Sequence, residues 1–285
     1  MVRRFSFLRN RWITRFGLVF ALVLGLTTYA CAIEPNWYEV RNLQLTLPRL
    51  APEFSGYRIV HLSDIHADRW MTSDRLQRVV GRVNRLQPDL VVLTGDFITR
   101  SPETYTPTLT ALRALQAPDG AVGVLGNHDI ASGAEFVAQS LAKSGVQVLE
   151  NQVDTIVRKG AELHIAGVGD VWYGRAHLEQ IMPTLPDTGA AILLAHEPDF
   201  AEVSAATQRF DLQLSGHSHG GQVYVPPFKR LVPALADLYP SGLYRVGSMW
   251  QYTNRGIGAS PLHLRLNCRP EITVITLNSP KTAPS

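Results

Sequence analysis

Carboxylate, imidazole and amide side chains recur along the chain in five short motifs, each directly after an apolar run. The motifs are Asp64-Ile65-His66, Gly95-Asp96, Gly126-Asn127-His128-Asp129, His196 and Gly216-His217-Ser218-His219. Oxygen and nitrogen ligands without thiolate suit Mn²⁺, Fe or Zn²⁺, and the residue types do not choose among these three. Five of the nine histidines of the chain fall in these motifs. Their joint occurrence predicts a bound pair of divalent metal ions.

Each motif has a simpler interpretation when it is taken alone. Asp64 and His66 lie two positions apart at a strand end, so they share one face and could bind one ion together. An ordinary strand end leading into a loop has the same pattern. Residues 126–129 could form an Asx turn before a helix, and residues 216–219 could be surface histidines in a glycine-rich turn. His61 lies within a predicted strand and is expected to be a satisfied core or edge residue.

The elements that position these motifs alternate between strand and helix in the first half of the chain. Apolar periodicity predicts an edge strand within residues 34–55, strands at 58–63, 90–94 and 121–125, and helices at 73–86, 107–115 and 134–143. The second half is richer in strands, predicted at 154–157, 162–168, 191–195, 212–215, 222–225, 244–246, 262–266 and 272–277, with helices at 178–182 and 199–206. This order predicts one α/β domain, residues 34–278, with two packed sheets and outer helices.

The N-terminal segment, residues 1–33, is predicted to be a transmembrane anchor or a signal segment. Residues 16–33 carry no charge, and this run of 18 residues is near the lower limit of about 17–25 for a spanning helix. Arginines precede the run and Glu34 follows it, which places the domain on the outer face of the cytoplasmic membrane. Secretion after cleavage near residues 30–32 is the alternative. We favour the anchor because Tyr29 and Cys31 make an untidy cleavage region.

The basic charge of the chain is concentrated in this N-terminal segment. It contains Arg3, Arg4, Arg9, Arg11 and Arg15 and no acid, and without them the formal net charge of +3 becomes −2. The composition therefore gives no reason to expect a nucleic-acid partner. Cys31 and Cys268 are the only cysteines, and no disulfide is expected between them. Residues 279–285 are predicted to be a disordered tail.

The five motifs in this order resemble those of the calcineurin-like metallophosphoesterases, over about residues 40–277. Residues 242–244, 254–258 and 266–273 resemble the membrane-anchored bacterial branch of that family. The resemblance implies a four-layer α-β-β-α sandwich of two mixed sheets. The protein Ser/Thr phosphatases of the superfamily carry Asp-Arg-Gly after the bridging aspartate, whereas Asp96 is followed by Phe97-Ile98-Thr99 and then Arg100. A protein-phosphatase role is therefore not expected.

The resemblance also implies a role for each motif residue. One metal is expected to be bound by Asp64, His66, Asp96 and His219. The other is expected to be bound by Asp96, Asn127, His196 and His217, so that Asp96 bridges. His128 is expected to donate a proton near the leaving oxygen, and Asp129 to contact His128 and fix its tautomer. Two cations about 3.5–4 Å apart would clamp a phosphoryl group and acidify a shared water for attack on phosphorus.

The predicted activity is that of a metal-dependent phosphohydrolase, either a phosphodiesterase or a pyrophosphatase. A membrane anchor makes a lipid-linked or nucleotide-lipid phosphate a candidate substrate, and the resemblance offers UDP-diacylglucosamine as one example. That precursor is made on the cytoplasmic side, which conflicts with the predicted orientation. The alternative is a non-catalytic membrane-tethered scaffold or binding module that retains a structural metal pair. The sequence does not predict the oligomeric state.

Residues 226–244 follow the double-histidine motif and are rich in apolar side chains. They include Phe228, Leu231, Leu235 and Leu238. Apolar residues in a connecting segment commonly close the core beneath them, and we expect this here, over the second sheet. The alternative is an apolar rim that contacts acyl chains, with neighbouring cations meeting anionic head groups.

Overall fold

Two six-stranded mixed sheets form the centre of the molecule. The computed structural model describes residues 2–280, with side chains described from residue 12, so most of the predicted tail lies outside the described residues. The first sheet contains β1 (Glu39–Thr46), β2 (Tyr57–Leu62), β3 (Leu90–Thr94), β4 (Ala121–Val124), β5 (Val146–Val148) and β12 (Glu271–Asn278), in the order β1-β12-β2-β3-β4-β5. The second contains β6 (Gln152–Arg158), β7 (Ala161–Gly167), β8 (Ala190–Leu194), β9 (Leu212–Ser215), β10 (Gly242–Val246) and β11 (Met249–Thr253), in the order β10-β11-β9-β8-β7-β6.

The central strands are parallel within each sheet, which is why their sequences are continuously apolar. β2 to β5 pair in parallel, and so do β7, β8, β9 and β11. In β3, Leu90 and Val92 belong to the core between the two sheets, whereas Val91 and Leu93 belong to the core under the outer helices. Both faces of such a strand are covered, so both sets of alternating side chains must be apolar.

Helices cover the outer face of each sheet, which confirms the expected four layers. The α-helices of the described residues are α1 (Val2–Thr28), α2 (Ser73–Arg85), α3 (Pro102–Tyr105), α4 (Asn127–Lys143), α5 (Leu178–Ile181) and α6 (Ala201–Ala206). α2 and α4 pack on the first sheet through residues such as Val79 and Val137. α5 and α6 pack on the second sheet through Ile181 and Ala201.

The sequence assignment differs from the structure at several elements. The helix predicted from residue 134 begins at Asn127 and is interrupted at Gly133. The helix predicted at 107–115 is a 3-10 helix, Thr106–Ala114, and β5 and β11 were not predicted. The strands predicted at 222–225 and 262–266 are wrong, because one isolated bridge between Val223 and Leu266 joins these segments instead.

The N-terminal segment is a long exposed helix that continues into short turns before β1. Within the candidate span Trp12–Asn36, an 18-residue window has a mean hydropathy of 2.1, and 6% of that window is buried against the protein. Among the described residues, this is the segment that is long and apolar enough to cross a membrane. A signal sequence passes the same test, so the finding leaves the choice between anchor and signal open.

Candidate metal centre

The predicted motifs meet because each follows a strand whose carboxyl end lies at one edge of the sandwich. Asp64 follows β2, Asp96 follows β3 and Asn127 follows β4 in the first sheet. His196 follows β8 and His217 follows β9 in the second sheet. Both sheets thus deliver ligands to a shared cleft of about 440 Å³, which is lined by Asp96, Asn127, His128, His217 and His219 among others. The structure brings every predicted ligand into this region.

One group of three potential ligands surrounds the end of β2. The ligand atoms of Asp64, His66 and His219 all lie within 4.8 Å of one another. Nε2 of His66 is 3.0 Å from Nε2 of His219, and the latter is 3.4 Å from Oδ1 of Asp64. Lone pairs of two neutral rings do not attract each other at this distance, so a cation or a shared proton must lie between them.

The second group is centred on Asp96, His196 and His217, whose ligand atoms also lie within 4.8 Å of one another. Nδ1 of His217 is 3.2 Å from Nε2 of His196. Oδ2 of Asp96 is 3.4 Å from Nε2 of His196 and also 3.4 Å from Nε2 of His66. A single carboxylate oxygen is therefore equidistant from a histidine of each group.

Hydrogen bonds from the far side of two of the rings decide which nitrogen faces the cleft. Nδ1 of His196 lies 2.7 Å from the carbonyl oxygen of Thr94, and Nε2 of His217 lies 2.9 Å from that of Ala234. A carbonyl accepts only from a protonated nitrogen, so the opposite nitrogen of each ring is left as a ligand. Nδ1 of His66 is 3.3 Å from the hydroxyl of Thr99, which can donate or accept and therefore does not fix the tautomer of this ring.

Asn127 supplies a separate test of whether the site fits a cation. Its Oδ1 is buried and has no hydrogen-bond partner among the described residues. Leaving a buried polar group unpaired costs about 1–3 kcal/mol, and a metal ion would remove that cost. The backbone beside it is also closely packed: a Cβ at Gly95, where φ is +87°, would lie 2.5 Å from Nδ1 of His196. The donor set therefore fits a pair of divalent cations.

Burial and charge set the ionisation of these groups. Burial lowers the pKa of His66 to about 3 and that of His217 to about 4, so both rings are neutral at pH 7. Burial also raises the pKa of Asp64 to about 6. His196 differs, because the Asp96 carboxylate outweighs burial and holds its pKa well above the ordinary value. A proton on His196 occupies the position where a cation would bind, and metal binding would release it.

The backbone is strained at five of the proposed ligands. The φ angles are between 49° and 68° at Asp64, His66, Asp96, His217 and His219. Non-glycine residues in this left-handed region cost of order 1–3 kcal/mol each and persist where the surrounding structure enforces them. Strain at several ligand positions indicates that the loops are shaped for the positions of their side chains rather than for backbone stability.

Asp129 does not have the contact that was predicted for it. Its Oδ1 accepts hydrogen bonds from the backbone amides of Phe97 (2.9 Å) and Ile98 (3.1 Å), and its Oδ2 accepts from that of Gly126 (3.0 Å). Nδ1 of His128 lies instead 3.1 Å from the carbonyl oxygen of Thr99. The prediction that Asp129 fixes the tautomer of His128 is wrong, because three amides occupy its carboxylate. Asp129 joins the loops after β3 and β4.

Glu197 and Trp172 belong to the site and were not found from the sequence. The buried carboxylate of Glu197 accepts hydrogen bonds from the amides of Val171 (3.1 Å) and Trp172 (3.2 Å). It thereby holds the indole of Trp172 at the cleft, 5.9 Å from the ring of His217 between centroids. The position of Glu197 next to His196 was a usable signal. No sequence signal identified Trp172.

Only part of the segment 226–244 closes the core as expected. Phe228 is 71% exposed, Leu231 is 87% exposed and Leu238 is 57% exposed. Ala236 is the buried residue of the segment. Leu231 and Pro233 line the cleft. The expectation is therefore wrong for Phe228, Leu231 and Leu238, of which Leu231 lies at the cleft, whereas Tyr239 packs against the core on the second sheet.

The comparisons with known proteins agree with this geometry. The family described as Calcineurin-like phosphoesterase matches residues 57–221. The chain is 36% identical over 275 residues to an uncharacterized metallophosphoesterase, YkuE, of Bacillus subtilis, covering 92% of this chain and 96% of the relative. It is 32% identical over 255 residues to the phosphodiesterase YaeI of Escherichia coli, covering 86% and 90%.

A solved structure supports the same fold. The NAD nucleotidase of Haemophilus influenzae superposes with a TM-score of 0.50 at 16% identity, over 70% of this chain and 45% of that one. The two sheets, the convergent ligands and these matches define a class of metal-dependent phosphoester hydrolases. The chain belongs to the calcineurin-like phosphoesterase family. Members of this family use a pair of divalent metal ions.

Proposed function

We propose that this protein hydrolyses a phosphodiester or pyrophosphate with two divalent cations bound at the cleft. Asp64, His66, Asp96 and His219 would hold one cation, and Asp96, Asn127, His196 and His217 the other. The observation that carries the proposal is the position of Asp96, whose Oδ2 is 3.4 Å from Nε2 of both His66 and His196. A bridging carboxylate between two sets of nitrogen ligands is the arrangement that a metal pair requires.

The side chains around the proposed metal pair have different roles in the reaction. When bound, two cations lower the pKa of coordinated water and neutralise charge on the phosphoryl oxygens. His128 lines the cleft, and its Nδ1–H donates to Thr99, so a second proton on Nε2 can be given to the departing oxygen. Trp172 offers an apolar wall for the leaving group. Asp129 keeps the loops that carry Asp96 and Asn127 together.

We further propose that residues 34–278 are the catalytic domain and that residues 1–33 anchor it in the cytoplasmic membrane. The charge-free run after the N-terminal arginines supports an outer-face orientation. An anchored cleft has its highest encounter rate with membrane-borne molecules, so the proposed substrate is a lipid-linked phosphate. The side chains of Trp172, Ser218 and Ser260 at the cleft do not indicate which head group the lipid carries.

The first experiment measures metal content and turnover on the same preparation of the full chain in detergent. We expect two metals per chain and hydrolysis of a soluble diester or a nucleotide-lipid pyrophosphate. Asp96→Asn should remove turnover and lower metal content, while the exposed Asp187→Asn serves as the matched control. A full complement of metal without turnover on any phosphoester would favour the alternative of a non-catalytic scaffold. Active protein with one metal or none would refute the metal pair.

The orientation requires its own experiment. Protease added to intact spheroplasts should degrade the domain if it lies outside the membrane. Cleavage that occurs only after lysis would place the domain in the cytoplasm. That result would favour a cytoplasmic lipid precursor such as UDP-diacylglucosamine and would refute the outer-face orientation.

A further inference from the structure

The surface beside the cleft concentrates exposed apolar side chains. We define the apolar rim as Val223, Val225, Phe228, Leu231 and Leu262, whose exposed fractions range from 37% to 87%. Single exposed apolar residues are normal, whereas several exposed apolar side chains in segments that adjoin a functional cleft indicate a surface that contacts something apolar. The proposed catalytic roles use none of these five side chains.

Hydrogen bonds through Gln222 hold the rim together. Its Oε1 accepts from the amide of Ser260 at 2.9 Å, and its Nε2 donates to the carbonyl oxygen of Leu262 at 3.5 Å. Arg230 donates to the carbonyl of Gly220 at 2.5 Å and covers the ring of Tyr224 at 4.0 Å. The segments before and after the rim residues are therefore fixed to the ligand loop, and Gln222 and Leu231 both line the cleft.

The rim lies next to the end of the apolar helix α1. The amide of Leu266 donates to Gln222, and the amide of Tyr224 donates to Leu266, each at 2.9 Å. One residue earlier, the amide of Arg265 donates to the carbonyl of Ala30, also at 2.9 Å. The helix end and the rim segment are therefore hydrogen-bonded to two consecutive residues, Arg265 and Leu266. Because the rim is connected to the apolar helix in this way, a bilayer that holds the helix would lie next to the rim.

Side chains at the helix end match those found at a membrane–water interface. Trp37 is half-exposed directly after the apolar stretch. The guanidinium of Arg269 lies 4.1 Å from the centroid of its ring and donates to its carbonyl oxygen at 3.0 Å. Tryptophan and arginine are enriched at the level of lipid head groups. A helix that spans the bilayer would therefore place the rim at the bilayer surface.

We propose that the apolar rim inserts into the surface of the bilayer that holds α1, so that the cleft opens among lipid head groups. The depth would be that of other interfacial elements, about 5–10 Å. Lys229 is exposed at the same place and is paired with Asp237 at 2.9 Å. The proposed contact with lipid is supported by the apolar rim and by the position of the helix, and it does not depend on the catalytic activity. The consequence that the substrate is a lipid phosphate rests on the proposed function.

The test uses nitroxide labels on the full chain in vesicles of phosphatidylethanolamine and phosphatidylglycerol. Labels are attached at Phe228→Cys and Leu231→Cys in a Cys31→Ser background, in which the remaining Cys268 is buried. Val157→Cys is the matched control, because Val157 is 60% exposed on β6, far from the rim in the order of strands. Collision with membrane-soluble oxygen is compared with collision with an aqueous nickel chelate.

We expect a several-fold higher oxygen-to-nickel ratio at positions 228 and 231 than at position 157. Equal ratios at the three positions would overturn the proposal. Shielding of positions 228 and 231 from both reagents would mean that a second copy or another protein covers the rim, which also overturns it. The readout does not depend on catalysis. A positive result for a protein that hydrolyses no phosphoester would refute the proposed function and leave the membrane contact standing.

Discussion

Cys268 connects Glu34 to the loop that carries a proposed metal ligand. Its amide donates to Oε1 of Glu34 at 2.5 Å, and its Sγ lies 3.1 Å from the carbonyl oxygen of His219. Glu34 is the first charged residue after the apolar run and is fully buried. Cys268 is itself a free, buried cysteine. The amide and the thiol of Cys268 thus connect the segment after α1 to the loop that carries His219.

Replacing Glu34 with Ala should destabilise the protein, because the buried amide of Cys268 loses its acceptor. A buried unsatisfied amide costs about 1–3 kcal/mol, and each kcal/mol lowers Tm by about 2–4 °C for a domain near this size. Thermal unfolding of the full chain in detergent measures the change. Glu53→Ala is exposed and should alter the free energy of unfolding by less than about 0.5 kcal/mol. Equal effects of the two substitutions would contradict the structural role of Glu34.

Asp129→Asn should lower both stability and metal content. An amide side chain places an NH₂ group against one of the three backbone amides that the carboxylate accepts from, which leaves that donor unpaired at a cost of about 1–3 kcal/mol. The loops holding Asp96 and Asn127 then separate. Thermal unfolding and elemental analysis on the same sample measure the two effects, with Asp187→Asn as control. A variant that loses turnover while keeping its Tm and metals would restore the predicted role of orienting His128.

His128→Ala and His217→Ala should separate proton donation from metal binding. His128→Ala should lower kcat by about 10²–10⁴-fold, the usual contribution of a general acid, with metal content nearly unchanged. His217→Ala should lose metal, because its Nδ1 is directed at the second ligand group. Both variants are assayed for turnover and metal on matched preparations. Comparable metal loss in the two would show that His128 is a ligand.

Acid should destabilise the fold through His61, in a direction set by burial. Burial lowers the pKa of His61 to about 3, whereas an unfolded chain binds the proton near pH 6.5. The unfolded state therefore takes up more protons below pH 6.5, and stability falls as pH falls, by about 1.4 kcal/mol per pH unit between pH 6 and pH 4. His61→Gln keeps a donor for Thr94 and should flatten this slope in urea titrations, unlike His177→Gln on the surface. An unchanged slope would mean that His61 is protonated in the folded state.

The features that could be predicted from the sequence depend on short, local patterns of residues. β3 could be predicted because a strand covered on both faces must be apolar throughout. The convergence of Asp64, Asp96 and His196 was predicted from the joint occurrence of the motifs and from the family resemblance. The resemblance also supplied the two layers of helices. The motifs themselves could be read because they depend on patterns within single segments.

The assignments that failed depend on contacts between distant segments. Residues 222–225 and 262–266 alternate like strands, but neither occupies a place in a sheet, and alternation carries no information about partners. The carboxylate of Asp129 accepts hydrogen bonds from backbone amides of a loop more than 30 positions earlier in the chain. That loop begins at Asp96, whose backbone is in the left-handed conformation. Whether Leu231 covers the core or lines the cleft depends on the path of its loop, which its apolar character does not determine.

The segment that connects α1 to the domain is hydrogen-bonded to the domain along its length. Ala30, Glu34 and Trp37 are each bonded to residues between Arg265 and Arg269, so the chain between helix and domain cannot extend as a flexible tether. For a molecule held by α1 in a bilayer, the height of the cleft is a fixed dimension. Such an enzyme would search for substrate by lateral diffusion in two dimensions. It would reach phosphate groups in one thin layer above the membrane and miss those that lie farther out.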